Sequence, residues 1–294
     1  MQRRIQYYVH YHSSFPAPQN SSWVVPTIYE DKPGIIENPL ILSKYTPSIR
    51  SLFKNFEPMD DDRIGYLSQT IATEYWILNH LKDVDYVGVS GYRRYPIINY
   101  DRSNPTVQHV GAVATNDYME FLTNDGNLEL ISNILNTYDV IAIAKTLIEG
   151  TVKTQFISNQ GRVDIWDNFI DSICLVAPEY KPWINWFNLE NQVHYCGPMG
   201  LTPLPMFKEY ADMYSRIIAN MLQNIEDPFL CSDDNLRFKS DRWIGYMAER
   251  FYPFFLFVNN VKIYQVPMVH LADPKDFETN AQTSPRSSFW RKFF

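Results

Sequence analysis

The chain has 294 residues, 45% of them hydrophobic and 20% charged, which is enough apolar material for a sizeable core and argues against wholesale disorder. Its net charge of −7 argues against a general nucleic-acid binder, whose footprint is basic, so no nucleic-acid partner is expected. Cys174, Cys196 and Cys231 are odd in number, far apart and without a Cys-x-x-Cys pairing, which indicates neither a disulfide framework nor a zinc site and fits a reducing cytoplasm. The opening MQRRIQYYVHYHSS lacks the apolar segment of a signal peptide, and no run reaches the length of a membrane helix.

In chain order, IQYYVHYH at 5–12 reads as a first strand and WVVPTIY as a second extended piece, with turn chemistry in FPAPQNSS between them. Apolar residues from Ile64 to Leu81 recur every three or four positions and predict an amphipathic helix over 62–82, led by Asp60, Asp61 and Asp62. DYVGVSGYRRYP is an apolar strand that ends in a basic pair. Residues 117–136 predict a helix, and TYDVIAIAK at 137–145 a buried strand. VKTQFISN reads as a strand, DIWDNFIDSICLVA as a helix, and KPWINWFNLEN as a surface loop or flap. Thr202 is the expected N-cap and Pro203 the first residue of a helix that buries Phe207, Tyr210, Tyr214, Ile217 and Met221. A helix from Asp241 and a last strand, KIYQVPMVHL, complete the pattern. The alternation predicts an α/β fold in one domain over 1–275, with a ligand at the carboxyl edges of the strands and a basic-aromatic tail over 276–294.

At DYVGVSGYRRYP the chain resembles a family of bacterial capsule and O-antigen glycosyltransferases long catalogued only as a domain of unknown function. YYVHYHSS, IATEYWILNHL, TYDVIAIAK, GLTPLPMFKEYADMY, RWIGYMAERF and KIYQVPMV follow in the order that family shows, so the resemblance spans roughly residues 5–270. It implies a GT-A-like single domain with a mostly parallel central sheet flanked by helices. It also implies a nucleotide-sugar donor, UDP-linked by expectation, and an acceptor glycan that is lipid-linked in some systems. Two places depart from the family: Pro198-Met199-Gly200-Leu201-Thr202 stands where Asn-Met-Phe-Ile-Met is common, and Gly91 where a His is common.

Transfer from a nucleotide diphosphate requires charge neutralised on the departing diphosphate and, for inversion, a carboxylate to take the acceptor proton. Where GT-A enzymes hold a divalent cation with Asp-x-Asp, this chain reads Gly91-Tyr92-Arg93-Arg94, and two guanidiniums can bind phosphate oxygens directly. Tyr92, Arg93 and Arg94 are therefore the candidate diphosphate site; the plain alternative is an arginine pair on an acidic surface. No metal or other cofactor is expected, with Mn or Mg as the alternative. Asp60 to Asp62, Asp233 and Asp234 read as solvated caps, and His270 as a structural histidine.

His10, Tyr11 and His12 close the first strand, where a nucleoside usually sits, although a polar strand end explains them as well. Gly197, Met199 and Arg242 are expected to border the sugar. Asp241 is the first candidate for the base and Glu249 the second; helix capping and pairing with Arg242 or Arg250 are the competing explanations. Arg286, Arg291 and Lys292 interleave with Phe289, Trp290, Phe293 and Phe294, a composition that suits weak contact with an anionic membrane face and equally a disordered end. A non-catalytic carbohydrate-binding or scaffold protein on the same fold is the second reading.

Overall fold

The computed structural model describes residues 3–18, 21–29, 34–45, 61–99, 109–160, 162–193, 198–225 and 243–275. Its opening strands are β1 (Ile5–Tyr11), β2 (Val24–Ile28) and β3 (Leu40–Ile41). Helix α1 (Asp61–His80) then leads through a short turn, with Asp83 in the left-handed region (φ 59), into β4 (Tyr86–Gly91). Asp is one of the few side chains that enters this region at little cost. Two further strands follow, β5 (Arg94–Pro96) and β6 (His109–Val113).

The predicted helix over 117–136 is two helices, α2 (Asn116–Thr123) and α3 (Gly126–Ile134). The break is chemical: the Asn124 side chain accepts from the Gly126 amide at 2.6 Å, while buried Asn127 donates back to the carbonyls of Phe121 and Leu122. Asn competes for backbone groups in this way and ends helices. Then come β7 (Val140–Ile143), β8 (Thr146–Leu147), and helices α4 (Val152–Gln160) and α5 (Val163–Val176).

The strand expected at VKTQFISN is therefore α4. Its start is fixed by a reciprocal cap in which the Thr154 amide donates to the Thr151 hydroxyl oxygen at 3.2 Å and the Thr151 amide to that of Thr154 at 2.8 Å. The expected flap is ordered too, as a 3-10 turn over Pro178–Trp183 and helix α6 (Ile184–Leu189), followed by β9 (Gln192–Val193). Phe187 of α6 is buried, and its ring stacks on that of Phe254 at 4.3 Å. Aromatic burial on this scale outweighs the turn propensity of the Pro-rich lead-in.

Thr202 does not cap a helix. It belongs to β10 (Gly200–Pro203), and its hydroxyl lies 2.7 Å from the Tyr252 hydroxyl; α7 (Leu204–Asn224) begins one residue past Pro203. Helix α8 (Trp243–Val258) precedes β11 (Ile263–Val266) and β12 (Met268–Ala272), so the single last strand expected is two, divided at Pro267. Proline has no N–H to continue a ladder.

The main sheet has the order β11-β7-β10-β4-β1-β2-β3, and β5-β12-β6 form a second, three-stranded sheet. Every neighbour pair of the main sheet is parallel except those of β10, which runs antiparallel to both β4 and β7. The carboxyl ends of β1, β2, β4, β7 and β11 thus share one edge with the amino end of β10. Gly88 and Gly200 permit the insertion of β10, because a Cβ on Gly88 would run into the Gly200 carbonyl, and Gly200 has φ 139.

One face of the main sheet is covered by α1, α4, α5, α7 and α8, whose buried residues include Trp166, Trp243, Phe207 and Phe251. The other is covered by α2, α3 and the small sheet, around Tyr7, Tyr11, Trp23 and Tyr92. No helix among the described residues is long and apolar enough to cross a membrane.

Candidate active site

The carboxyl edge of the main sheet is where helix and strand packing leaves backbone and polar side chains open to a ligand. Register places His10 of β1 beside Thr27 of β2 and Gly91 of β4, and Val9 beside Ser90. The His10 ring is half-buried with Nδ1 3.3 Å from the Thr27 hydroxyl. Burial, and then the nearby charge of His12, lower its pKa to about 4, so the ring is neutral at neutral pH. A Cβ on Gly91 would meet nothing within 4 Å, so this position opens onto free space.

Beyond β4 the chain turns through Tyr92 and Arg93 into β5. The Tyr92 ring stacks on Tyr11 at 5.5 Å, meets Phe15 edge-on at 5.0 Å and His12 at 4.8 Å, and its hydroxyl accepts from Ser13 at 2.8 Å. The Arg93 guanidinium lies 5.3 Å from the ring centres of both Phe15 and Tyr92. Its carbonyl accepts from the Leu271 amide at 2.7 Å, which ties the turn to β12. Arg94 pairs with His270 across β5 and β12 and makes contacts of its own.

Three buried polar atoms along this edge, His10 Nε2, Ser90 Oγ and Arg93 Nε, have no partner among the described residues. Each such group costs about 1–3 kcal/mol of desolvation if nothing binds it. Their concentration where β1 and β4 end marks this edge as a place where a polar ligand would recover that cost.

Two of the residues expected to touch a ligand are instead support. Tyr11 is 1% exposed, shares a 3.3 Å hydrogen bond between its hydroxyl and that of Tyr95, and has its pKa pushed up to about 12 by burial. Met199 is wholly buried in the core beneath the edge. Strand alternation turns Tyr11 inward, and Met199, expected at the sugar from the family resemblance, lies just before β10 with its side chain in the core. Tyr92 is also buried, with its ring centre 5.3 Å from the Arg93 guanidinium.

Glu249 is half-buried on α8, close enough to Tyr214 to bear on that hydroxyl. Asp241, Arg242 and Gly197 lie outside the described residues, as do Asp60, Asp233, Asp234 and the 276–294 tail.

A carboxyl that sequence reasoning passed over is Glu74 of α1. Burial raises its pKa to about 7, and it bears on the hydroxyls of Tyr210 and Tyr214. Its place was readable: Glu74 falls three residues after Ile71 and four before Leu78, on the apolar stripe itself.

A divalent cation of the kind many GT-A enzymes hold requires oxygen ligands. The turn after β4 supplies a buried phenol and two guanidiniums, which do not fit one. Among the described residues no three His, Cys, Asp or Glu side chains gather.

The architecture is a mixed α/β fold with a mostly parallel central sheet flanked by helices. The chain superposes on the apo structure of WbbM, a bifunctional glycosyltransferase, with TM-score 0.68 at 16% identity, over 92% of this chain and 46% of that one. The chain thus spans about half the length of that protein. At this identity the likeness is one of fold. No curated protein matches the chain. The family described as Domain of unknown function (DUF4422) matches residues 69–260, and the chain belongs to it.

Proposed function

We propose that the protein is a glycosyltransferase that moves a sugar from a nucleotide diphosphate donor, UDP-linked by resemblance, onto an acceptor glycan of a cell-surface polysaccharide such as capsule or O-antigen. The observation that carries this reading is that three buried polar atoms without a partner among the described residues, His10 Nε2, Ser90 Oγ and Arg93 Nε, lie where β1 and β4 end, on the two faces of the sheet. They lie on a fold shared with a glycosyltransferase.

In this reading Arg93, whose guanidinium lies 5.3 Å from the ring centres of Phe15 and Tyr92, neutralises the diphosphate, and Arg94 adds a second positive charge. No cation is assigned to the leaving group. Neutral His10 accepts from or donates to the nucleoside, with Thr27 holding its other nitrogen. The open space at Gly91 admits the donor where a larger residue would stand. Asp241 or Glu249 takes the acceptor proton if the anomeric centre inverts. The reaction is assigned to the inner face of the cell membrane, where the basic-aromatic 276–294 tail would hold the protein near a lipid-linked acceptor.

Incubation with a panel of nucleotide-sugars in the presence of a chelator tests the proposal. Release of the free nucleotide from one donor, reduced at least tenfold by Arg93→Ala, is the expected result. Release that depends wholly on added manganese would overturn the metal-free assignment. Glycan binding with no donor turnover would favour a non-catalytic carbohydrate-binding protein.

A further inference from the structure

Beside the donor edge, the segment that follows β7 forms a cleft of about 520 Å³ between β8 and α4, lined among others by Leu147, Glu149, Thr154, Gln155, Ser158 and Asn159. Among the described residues no Lys or Arg lines it. A lining of this composition does not suit a diphosphate, which needs cations to neutralise it. Amides, hydroxyls, one carboxylate and the apolar side chain of Leu147, which is 68% exposed, are instead the groups that recognise a neutral polyhydroxylated ring.

The cleft is built rather than incidental. Arg250 of α8 is 4% exposed, and its guanidinium donates to the Gln155 side chain and, at 2.6 Å, to the Tyr246 carbonyl. A guanidinium has no acceptor atom, so the Gln155 oxygen must face Arg250 and its NH₂ must turn away. That NH₂ donates to no described residue, while Gln155 lines the cleft. The walls are tied as well: the Ile148 amide donates to the Asn191 carbonyl at 2.9 Å, and the Val152 amide to that of Glu190 at 2.7 Å. Lys145 and Glu190 pair at 3.5 Å in the same hinge of chain.

Position links the cleft to the donor edge. β7 and β4 flank β10, so their carboxyl ends lie roughly 10 Å apart, two strand spacings. α4 packs on the same face of the sheet as Tyr8, two residues before His10 on β1, so alternation sets His10 toward that face.

We propose that this cleft binds the acceptor sugar, as a neutral hexose ring held by Gln155, Ser158, Asn159 and Glu149. The assignment rests on the transferase reading for the role of the sugar, but the binding itself does not. Saturation-transfer NMR tests it, using the methyl glycosides of glucose, galactose, mannose and N-acetylglucosamine, with UDP as a separate ligand. The expected result is that at least one glycoside binds the wild-type protein, and that Gln155→Ala and Ser158→Trp each weaken it at least tenfold with UDP binding unchanged. Ser158 is exposed, so its variant fills the cleft without entering the core. Binding by none of the four glycosides, or equal binding to Ser158→Trp, would overturn the proposal. Glycoside binding that survives while UDP fails to bind would sink the transferase reading and leave the sugar site standing.

Discussion

The ring of Tyr92, the first residue past β4, lies 5.5 Å from that of Tyr11, the last residue of β1, with the two planes 28° apart. The end of one parallel strand therefore fixes the turn that leaves its neighbour. Tyr92→Leu removes this stack and the hydrogen bond from Ser13, and should cost about 2–4 kcal/mol in urea denaturation. A loss below about 1 kcal/mol would mean that the turn holds its shape without the ring.

If Arg93 meets a diphosphate, its flatness matters as much as its charge. Arg93→Lys should then weaken UDP binding in calorimetry nearly as much as Arg93→Ala, each by about tenfold or 1.4 kcal/mol, because an ammonium cannot reproduce the planar, bidentate contact of a guanidinium with phosphate oxygens. Full recovery by lysine would reduce the site to a point charge.

Glu74 and His10 act on stability with opposite signs. Glu74 has its pKa raised from 4.5 to about 7, so the folded state holds the extra proton and stability falls as pH rises across that interval, by about 3 kcal/mol. His10 is lowered from 6.5 to about 4, so the unfolded state holds the extra proton and stability rises over that range by a similar amount, about 3 kcal/mol. The slopes offset each other where the ranges overlap. Glu74→Gln should leave a stability that climbs from about pH 4 to 6.5, and His10→Asn one that declines from about pH 4.5 to 7, both read from denaturation midpoints. Identical profiles for wild type and Glu74→Gln would show that the carboxyl is not held protonated.

Gly88→Ala should be among the most damaging small substitutions in the molecule. The added methyl meets the Gly200 carbonyl and the Tyr7 ring, and neither a strand backbone nor a core ring can move aside cheaply. A loss above about 3 kcal/mol, or no soluble protein, is expected from expression and melting trials. Unchanged melting would mean that β10 seats differently against β4.

The strand and helix alternation was legible because its main elements are long and regular. Ile5–Tyr11, Asp61–His80, Val163–Val176 and Leu204–Asn224 all carry their periods openly. What was not legible depended on partners far along the chain. VKTQFISN has no clear stripe, and only the Thr151–Thr154 cap and burial of Phe156 make it helical. The Trp-rich segment at 181–191 looked like a loop because nothing local reveals that Phe254 waits to stack on Phe187. At the site, alternation could place His10 at the strand end, but it could not show that Tyr11 and Met199 are sealed. Nor could it join Gln155 to Arg250, which stand on different helices.

The antiparallel β10 also sets the order in which the molecule can be made. β1 to β4 pair within the first third of the chain, whereas β7 borders only β10 and β11. On the ribosome β7 must therefore wait from Ile143 until Gly200 to Pro203 has emerged, several seconds at roughly 5–20 residues per second. During that interval VIAI, buried throughout in the finished fold, is an unpaired apolar strand. Chaperone dependence and aggregation during synthesis should concentrate there, at the seam between an early-forming half and a late one.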